Sequence, residues 1–155
     1  MERDGRQPVG PGDVPAEWNR LTEAVIGSAM AVHTELGPGL LEKFYEIAFC
    51  RELEMREIEF SRQHPIRLEY KGVALGDQYV DLVVADLIVV ELKAVERVSD
   101  IHLAQLTSYM RSAKLPLGLL FNFNVARLKD GVYRRVHSKD TPTPLSLLQM
   151  NPPSA

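Results

Sequence analysis

Three charged side chains, Asp81, Glu91 and Lys93, sit inside an otherwise apolar stretch, Tyr79 to Ala94, reading YVDLVVADLIVVELKA. Twelve of its sixteen residues are apolar and Val and Ile dominate, so it reads as buried strand, too short to cross a membrane. A charge buried in a strand costs about 2–7 kcal/mol or more unless it is paired or coordinated. Side chains alternate along a strand, so Glu91 and Lys93 share a face while Leu92 points away. Asp86, the fourth charge, marks a turn. With a three-residue loop, Ala85 to Leu87, Val84 pairs with Ile88 and Asp81 falls opposite Glu91. Facing residues have Cβ atoms about 5 Å apart, so two carboxylates and a lysine converge on one patch. A two-residue loop would pair Asp81 with Val90 and scatter them, so convergence requires the odd register or a bulge. Facing carboxylates repel and push one pKa up, which a metal cation would relieve. The plainer alternative is a surface salt bridge to Lys93 at a strand end.

The elements that must position these residues follow from periodicity. A helix is expected from Trp18 to Leu36, with Leu21, Val25, Ala29, Val32 and Leu36 forming one apolar face. Gly37-Pro38-Gly39 stops it. A second helix is expected from Leu40 to Arg56, its core side built from Leu41, Phe44, Ala48 and Leu53, with Glu42 in the first turn, where the helix dipole favours an anion. Two extended segments, Glu59–Tyr70 and Gly72–Val84, flank a Lys71-Gly72 turn, and Pro65 suits an edge strand. After the Asp81 hairpin, Ser99 or Asp100 caps a helix from Ile101 to Ala113 with a core stripe of Leu103, Leu106 and Met110. Leu115–Phe123 is a further apolar strand, and Val125–Val136 is expected to close as a strand pair around Lys129-Asp130-Gly131. The order α, α, β, β, β, α, β and a terminal hairpin describes an α/β domain with a mixed sheet flanked by helices.

Asp81 followed by Glu91-Leu92-Lys93 resembles the motif of the PD-(D/E)XK nuclease superfamily, with Val80-Asp81 where the family has Pro-Asp. The run Gly39-Leu40-Leu41-Glu42-Lys43-Phe44-Tyr45 matches G-x-x-E-x-x-Y. With Ala31-Val32-His33 and Leu36-Gly37-Pro38 it closely resembles the GxxExxY family, a bacterial branch of that superfamily, from about Leu21 to Val136. Gln105 and Tyr109, four apart on the third helix, resemble the Q-x-x-x-Y motif of RecB-like nucleases. The resemblance implies a restriction-endonuclease-like core and hydrolysis of phosphodiester bonds, in DNA before RNA. It implies Mg²⁺ or Mn²⁺, hard cations that take carboxylate oxygens and activate water. Asp81, Glu91 and the Leu92 carbonyl would hold the metal, and Lys93 would stabilise the attacking hydroxide and developing phosphate charge. Glu42 would be a further ligand, supported by Tyr45. Gln105 and Tyr109 would border the active site, with Gln105 near the catalytic water and Tyr109 and Tyr45 against substrate. His33 is a candidate ligand by the same resemblance; as a lone histidine on a largely apolar helix it also fits a structural role. Asn122 and Asn124 fit a turn better than substrate contact.

Composition bounds these readings. The chain has 155 residues, 45% hydrophobic and 25% charged, enough for one domain with a sizeable core. Expected bounds are a disordered leader over 1–17, the nuclease-like domain over 18–137 and a weakly ordered, proline-rich tail over 138–155. One cysteine, Cys50, excludes an internal disulfide framework and a cysteine-based zinc site. No signal peptide or transmembrane run is evident, so the cytoplasm is expected. Net charge is −3, against indiscriminate nucleic-acid binding, but its distribution is uneven. Residues 17–59 hold nine acids and four bases, a net of −5, whereas residues 111–139 hold seven bases and one acid, a net of +6. The basic half could follow a phosphate backbone. The rival reading is a nucleic-acid- or protein-binding module without catalysis, its carboxylates ion-paired to Lys93. A homodimer or a component of a larger assembly fits a chain with no second, target-selecting domain. A nucleotide site lacks its G-x-x-x-x-G-K-[ST] loop.

Overall fold

The computed structural model describes residues 14–137. The expected tail and all but the last residues of the expected leader lie outside the described residues. Five strands form one mixed sheet in the order β1-β2-β3-β4-β5, with helices on both faces. In chain order these are α1 (Ala16–Leu36), α2 (Glu42–Met55), β1 (Phe60–Tyr70), β2 (Val73–Val84), β3 (Ile88–Lys93), α3 (Asp100–Ala113), β4 (Leu117–Asn122) and β5 (Val132–Val136). No helix among the described residues is long and apolar enough to cross a membrane.

The hairpin at the centre adopts the odd register. Val84 pairs with Ile88, Val83 with Val89 and Leu82 with Val90, leaving Ala85 to Leu87 as the loop. Ala85 and Asp86 have φ of 51° and 50°, the left-handed values that match a hairpin turn to strand twist. β3 then runs parallel to β4, a connection that needs a crossover, and α3 supplies it. Ser99 starts α3 with a capping box, its Oγ accepting from the His102 N–H while the His102 ring accepts from the Ser99 N–H.

Two apolar clusters sandwich the sheet. On one face α1 and α2 bring Val25, Ala29, Val32, Tyr45, Phe49 and Leu53 against Leu82, Val90, Leu92, Leu119 and Phe121. On the other, Leu106 and Met110 of α3 cover Val83, Val89 and Leu120, with Leu103 partly buried beside them. Pro65 lies on β1, an edge strand, as its missing N–H requires. Cys50 is buried, and burial pushes its thiol up to about 11, so it packs as an apolar side chain.

Three expectations are corrected. The core side of α2 is Tyr45, Glu46, Phe49, Cys50 and Leu53, while Leu41 and Phe44 are exposed. Both sets fit helical spacing; the Tyr45 hydroxyl decides between them, because it donates to the Gly37 carbonyl (2.6 Å) and accepts from the Leu40 N–H (3.1 Å) in the interhelix loop. The terminal segment is no strand pair: Leu128–Gly131 is one 3₁₀ turn, and β5 pairs antiparallel with β4 instead. Finally, α1 begins at Ala16, ahead of Trp18.

Gly118 on β4 lies directly under α3, where an added Cβ would collide with Met110 Sδ and press on Leu106 Cδ1. Gly118→Ala is expected to cost about 1–3 kcal/mol by overpacking. Urea denaturation measures it.

Candidate active site

β2 and β3 part company at Asp81. Their ladder ends at Leu82 and Val90, and the next residues, Asp81 and Glu91, face each other through side chains. The Asp81 N–H donates to Glu91 Oε1 at 3.0 Å, and the Leu92 N–H donates to Asp81 Oδ2 at 2.8 Å. Each carboxylate thus takes the place of a backbone carbonyl in the ladder and fixes the other's strand. The second oxygen of each is left for something else.

Burial makes this costly. Glu91 is 7% exposed, and Asp81 is half-buried. Burial first, then the charge of Asp81, pushes Glu91 up to about 8, against the Asp81 N–H and Lys93. Burial likewise pushes Asp81 up to about 6, opposed chiefly by the Leu92 N–H, with Glu46 and Glu42 adding to the rise. The two titrate as one unit, and the apo pair keeps a proton near neutral pH.

Glu42, the first residue of α2, reaches the same site. It is open to solvent, yet enough protein surrounds its carboxyl to raise its pKa, with Lys93 lowering it, Glu46 raising it and the Ala94 N–H bonded to it. Lys93 therefore acts on Asp81, Glu91 and Glu42 together, and it makes no close ion pair with any carboxylate among the described residues. From α3, Tyr109 enters the field of Glu91 and Asp81; burial and those charges raise its phenol, and a hydrogen bond to Gln78 opposes the rise. Gln105 is exposed one turn earlier on α3.

Tyr45 is fully buried, stacked on Phe123 with ring centroids 4.5 Å apart and 5° between planes. It cannot touch substrate, which corrects that expectation. Its hydroxyl locks the Gly37–Leu40 loop and so fixes where α2 starts and where Glu42 stands. His33 is also occupied: its Nε2 bonds the Val125 carbonyl at 2.9 Å, and its ring stacks on Phe123. Asn122 closes the loop after β3, its Oδ1 accepting from the Val95 and Asn124 N–H groups and its Nδ2 donating to the Val95 carbonyl.

Sequence reasoning missed Glu46, Arg62, Gln63 and Gln78. Glu46 had a signal, since it lies one turn beyond Glu42 on the same helix face, a like-charge spacing that costs energy unless a partner intervenes. The strand residues had none.

The donor set fits a hard divalent cation. Asp81 and Glu91 stand side by side, and their mutual repulsion is the kind a cation removes. Among the described residues no group of three or more His, Cys, Asp or Glu side chains is arranged around a common metal position. A cation here would rest on the carboxylates of Asp81 and Glu91, with its remaining ligands drawn from outside such a group.

A family model described as the PD-(D/E)XK nuclease superfamily matches residues 19–136, from the first turn of α1 to the end of β5. No curated protein and no solved structure gives a significant match.

Raised carboxyl pKa values mean that the folded chain binds more protons than the unfolded one between about pH 4 and pH 8. The stability these two carboxyls contribute in EDTA is therefore expected to be full below about pH 4 and to be lost as pH rises through about 6 and 8. Glu91→Gln should flatten that slope and raise the urea midpoint at pH 8.

Proposed function

The chain belongs to the PD-(D/E)XK nuclease superfamily, and from that membership we propose that it is a metal-dependent nuclease acting on DNA in preference to RNA. The observation that carries the reading is the fork at Asp81 and Glu91, with Lys93 near enough to act on both and in no ion pair among the described residues. A structural cluster of this kind would be expected to neutralise itself through an ion pair. Here the ammonium stays apart and the carboxylates keep their charge conflict, which suits a site completed by cation and substrate. The G-x-x-E-x-x-Y run supports placement in the GxxExxY branch, where Tyr45 locks the loop and Glu42 is the acid it positions.

In this reading Asp81, Glu91 and the Leu92 carbonyl hold Mg²⁺ or Mn²⁺, with Glu42 taking part from the rim. The bound cation supplies a water acidic enough to attack near neutral pH and offsets charge on the phosphate oxygens. Lys93 orients the attacking oxygen and stabilises charge that develops on the phosphorus ligands, an interaction stronger in the transition state than in the ground state. Tyr109 and Gln105, on the α3 side, contact the substrate backbone and the attacking water. The basic stretch from Arg111 onward gives phosphate a favourable path.

Cleavage of labelled single- and double-stranded DNA and RNA, in Mg²⁺, Mn²⁺ or EDTA, tests this directly. Wild type is expected to cut only with metal. Lys93→Ala should lower the rate about 10²–10³-fold, as loss of one preorganised charge does, and Glu91→Ala should abolish cutting. Cutting that survives both substitutions sinks the proposal, and tight metal-independent binding without cutting identifies a binding module instead.

A further inference from the structure

The β1–β2 ladder is irregular in two places, a register shift at Leu68/Glu69 far along the hairpin and a break in side-chain alternation at the site. Leu82 packs on the α1–α2 face and Val83 on the α3 face, as a pleated strand requires, yet Val80 also packs on the α3 face. The same reversal runs along β1, where Phe60 packs on the α1–α2 face and Ile66 on the α3 face, although an even number of residues separates them. The reversals coincide with one gap in the ladder. Arg62 pairs with Leu82 and His64 with Val80, while Gln63 and Asp81 between them do not pair. Gln63 has φ of 49°, a left-handed backbone that a non-glycine residue keeps only when its surroundings enforce it.

Glu46 is what enforces it. This carboxylate is 9% exposed and accepts from both residues at the break: from Arg62 Nε at 2.8 Å and Nη2 at 2.7 Å, and from Gln63 Nε2 at 2.8 Å. α2 thereby grips β1 opposite Asp81. The Glu46 carboxylate is nearly enclosed but Arg62 stays largely open to solvent, and a half-exposed ion pair adds little to stability, so its presence here points to geometry.

We propose that Glu46 is a positioning residue: through Arg62 and Gln63 it clamps the kink in β1 that turns Asp81 out of the ladder and toward Glu91. Its part in the reaction rests on the nuclease reading; its hold on Asp81 does not. The kink removes the β1 partner of Asp81. The Asp81 N–H and carboxylate then turn to Glu91 and Leu92, the arrangement seen at the fork.

Amide hydrogen exchange of the full chain in EDTA reads that hold without metal or substrate. The Leu92 N–H, held by Asp81 Oδ2, is the reporter, with Val89 and Leu119 as core controls. In Glu46→Gln, Leu92 exchange is expected to quicken by about tenfold or more while the controls stay unchanged. Gln63→Gly, which adopts positive φ freely, should protect Leu92 better than Gln63→Val. Unchanged Leu92 exchange in Glu46→Gln, or quickening only in step with the controls, overturns the proposal, as does equal behaviour of the Gly and Val variants. Calorimetric Mn²⁺ titration supplies the functional half: affinity in Glu46→Gln should fall about 10–100-fold, as it does when a group that orients a metal ligand is lost. If Leu92 responds but Mn²⁺ affinity does not, the role in metal binding is overturned. If wild type neither binds Mn²⁺ nor cuts nucleic acid, the nuclease reading fails, and the exchange result still decides whether Glu46 holds Asp81.

Discussion

Two hydrogen bonds carry the site: the Asp81 N–H on Glu91 Oε1 and the Leu92 N–H on Asp81 Oδ2. At every other rung of this hairpin, backbone meets backbone. Here two acidic side chains substitute for carbonyls, so the strands can separate without orphaning their N–H groups. That substitution lets a sheet open at its centre while its apolar faces stay packed. It also forces two carboxylates into one partly buried place, where burial and mutual repulsion lift both pKa values.

The other groups arrive by separate structural routes. α2 delivers Glu42 at its first residue, and the start of α2 is set by Tyr45, whose hydroxyl satisfies a carbonyl and an N–H of the Gly37–Leu40 loop. The spacing Gly-x-x-Glu-x-x-Tyr is thus a mechanical unit, with a tyrosine anchored in the core fixing the acid one turn before it. Lys93 comes from the same strand as Glu91, two residues on, by alternation alone. Tyr109 comes from the crossover helix, on the side of the sheet opposite α2. The carboxylates lie where these three supports meet.

Stability and chemistry pull apart at this point. A fold optimised for stability would not place Asp81, Glu91, Glu42 and Glu46 within one another's fields, nor leave Lys93 unpaired among them. Lost stability is recovered elsewhere, in the two clusters that sandwich the sheet and in the capped crossover helix. An apolar core this complete can carry a local electrostatic conflict, and that tolerance permits a preorganised site.

Sequence by itself determined which residues could meet at the fork. The apolar run of Tyr79–Ala94, the turn residue Asp86 and strict alternation narrowed the hairpin to two registers, because strand pairing across a short loop is a local matter, and the folded chain takes the three-residue loop that faces Asp81 with Glu91. Helix stops at Gly37 and starts at Ser99 were legible for the same reason. Tertiary structure decided what depends on distant partners. The buried face of α2 was ambiguous by periodicity, and one hydroxyl bond to the preceding loop settled it on Tyr45 over Phe44. His33 found its hydrogen-bond partner in the carbonyl of Val125, far along the chain. The expected terminal strand pair became a 3₁₀ turn and one strand, β5, because β4 was free along that edge. Arg62 and Gln63 left no readable trace and Glu46 only its spacing from Glu42, since a helix acid meeting a strand kink has no period; only the packing of α2 on β1 brings them together.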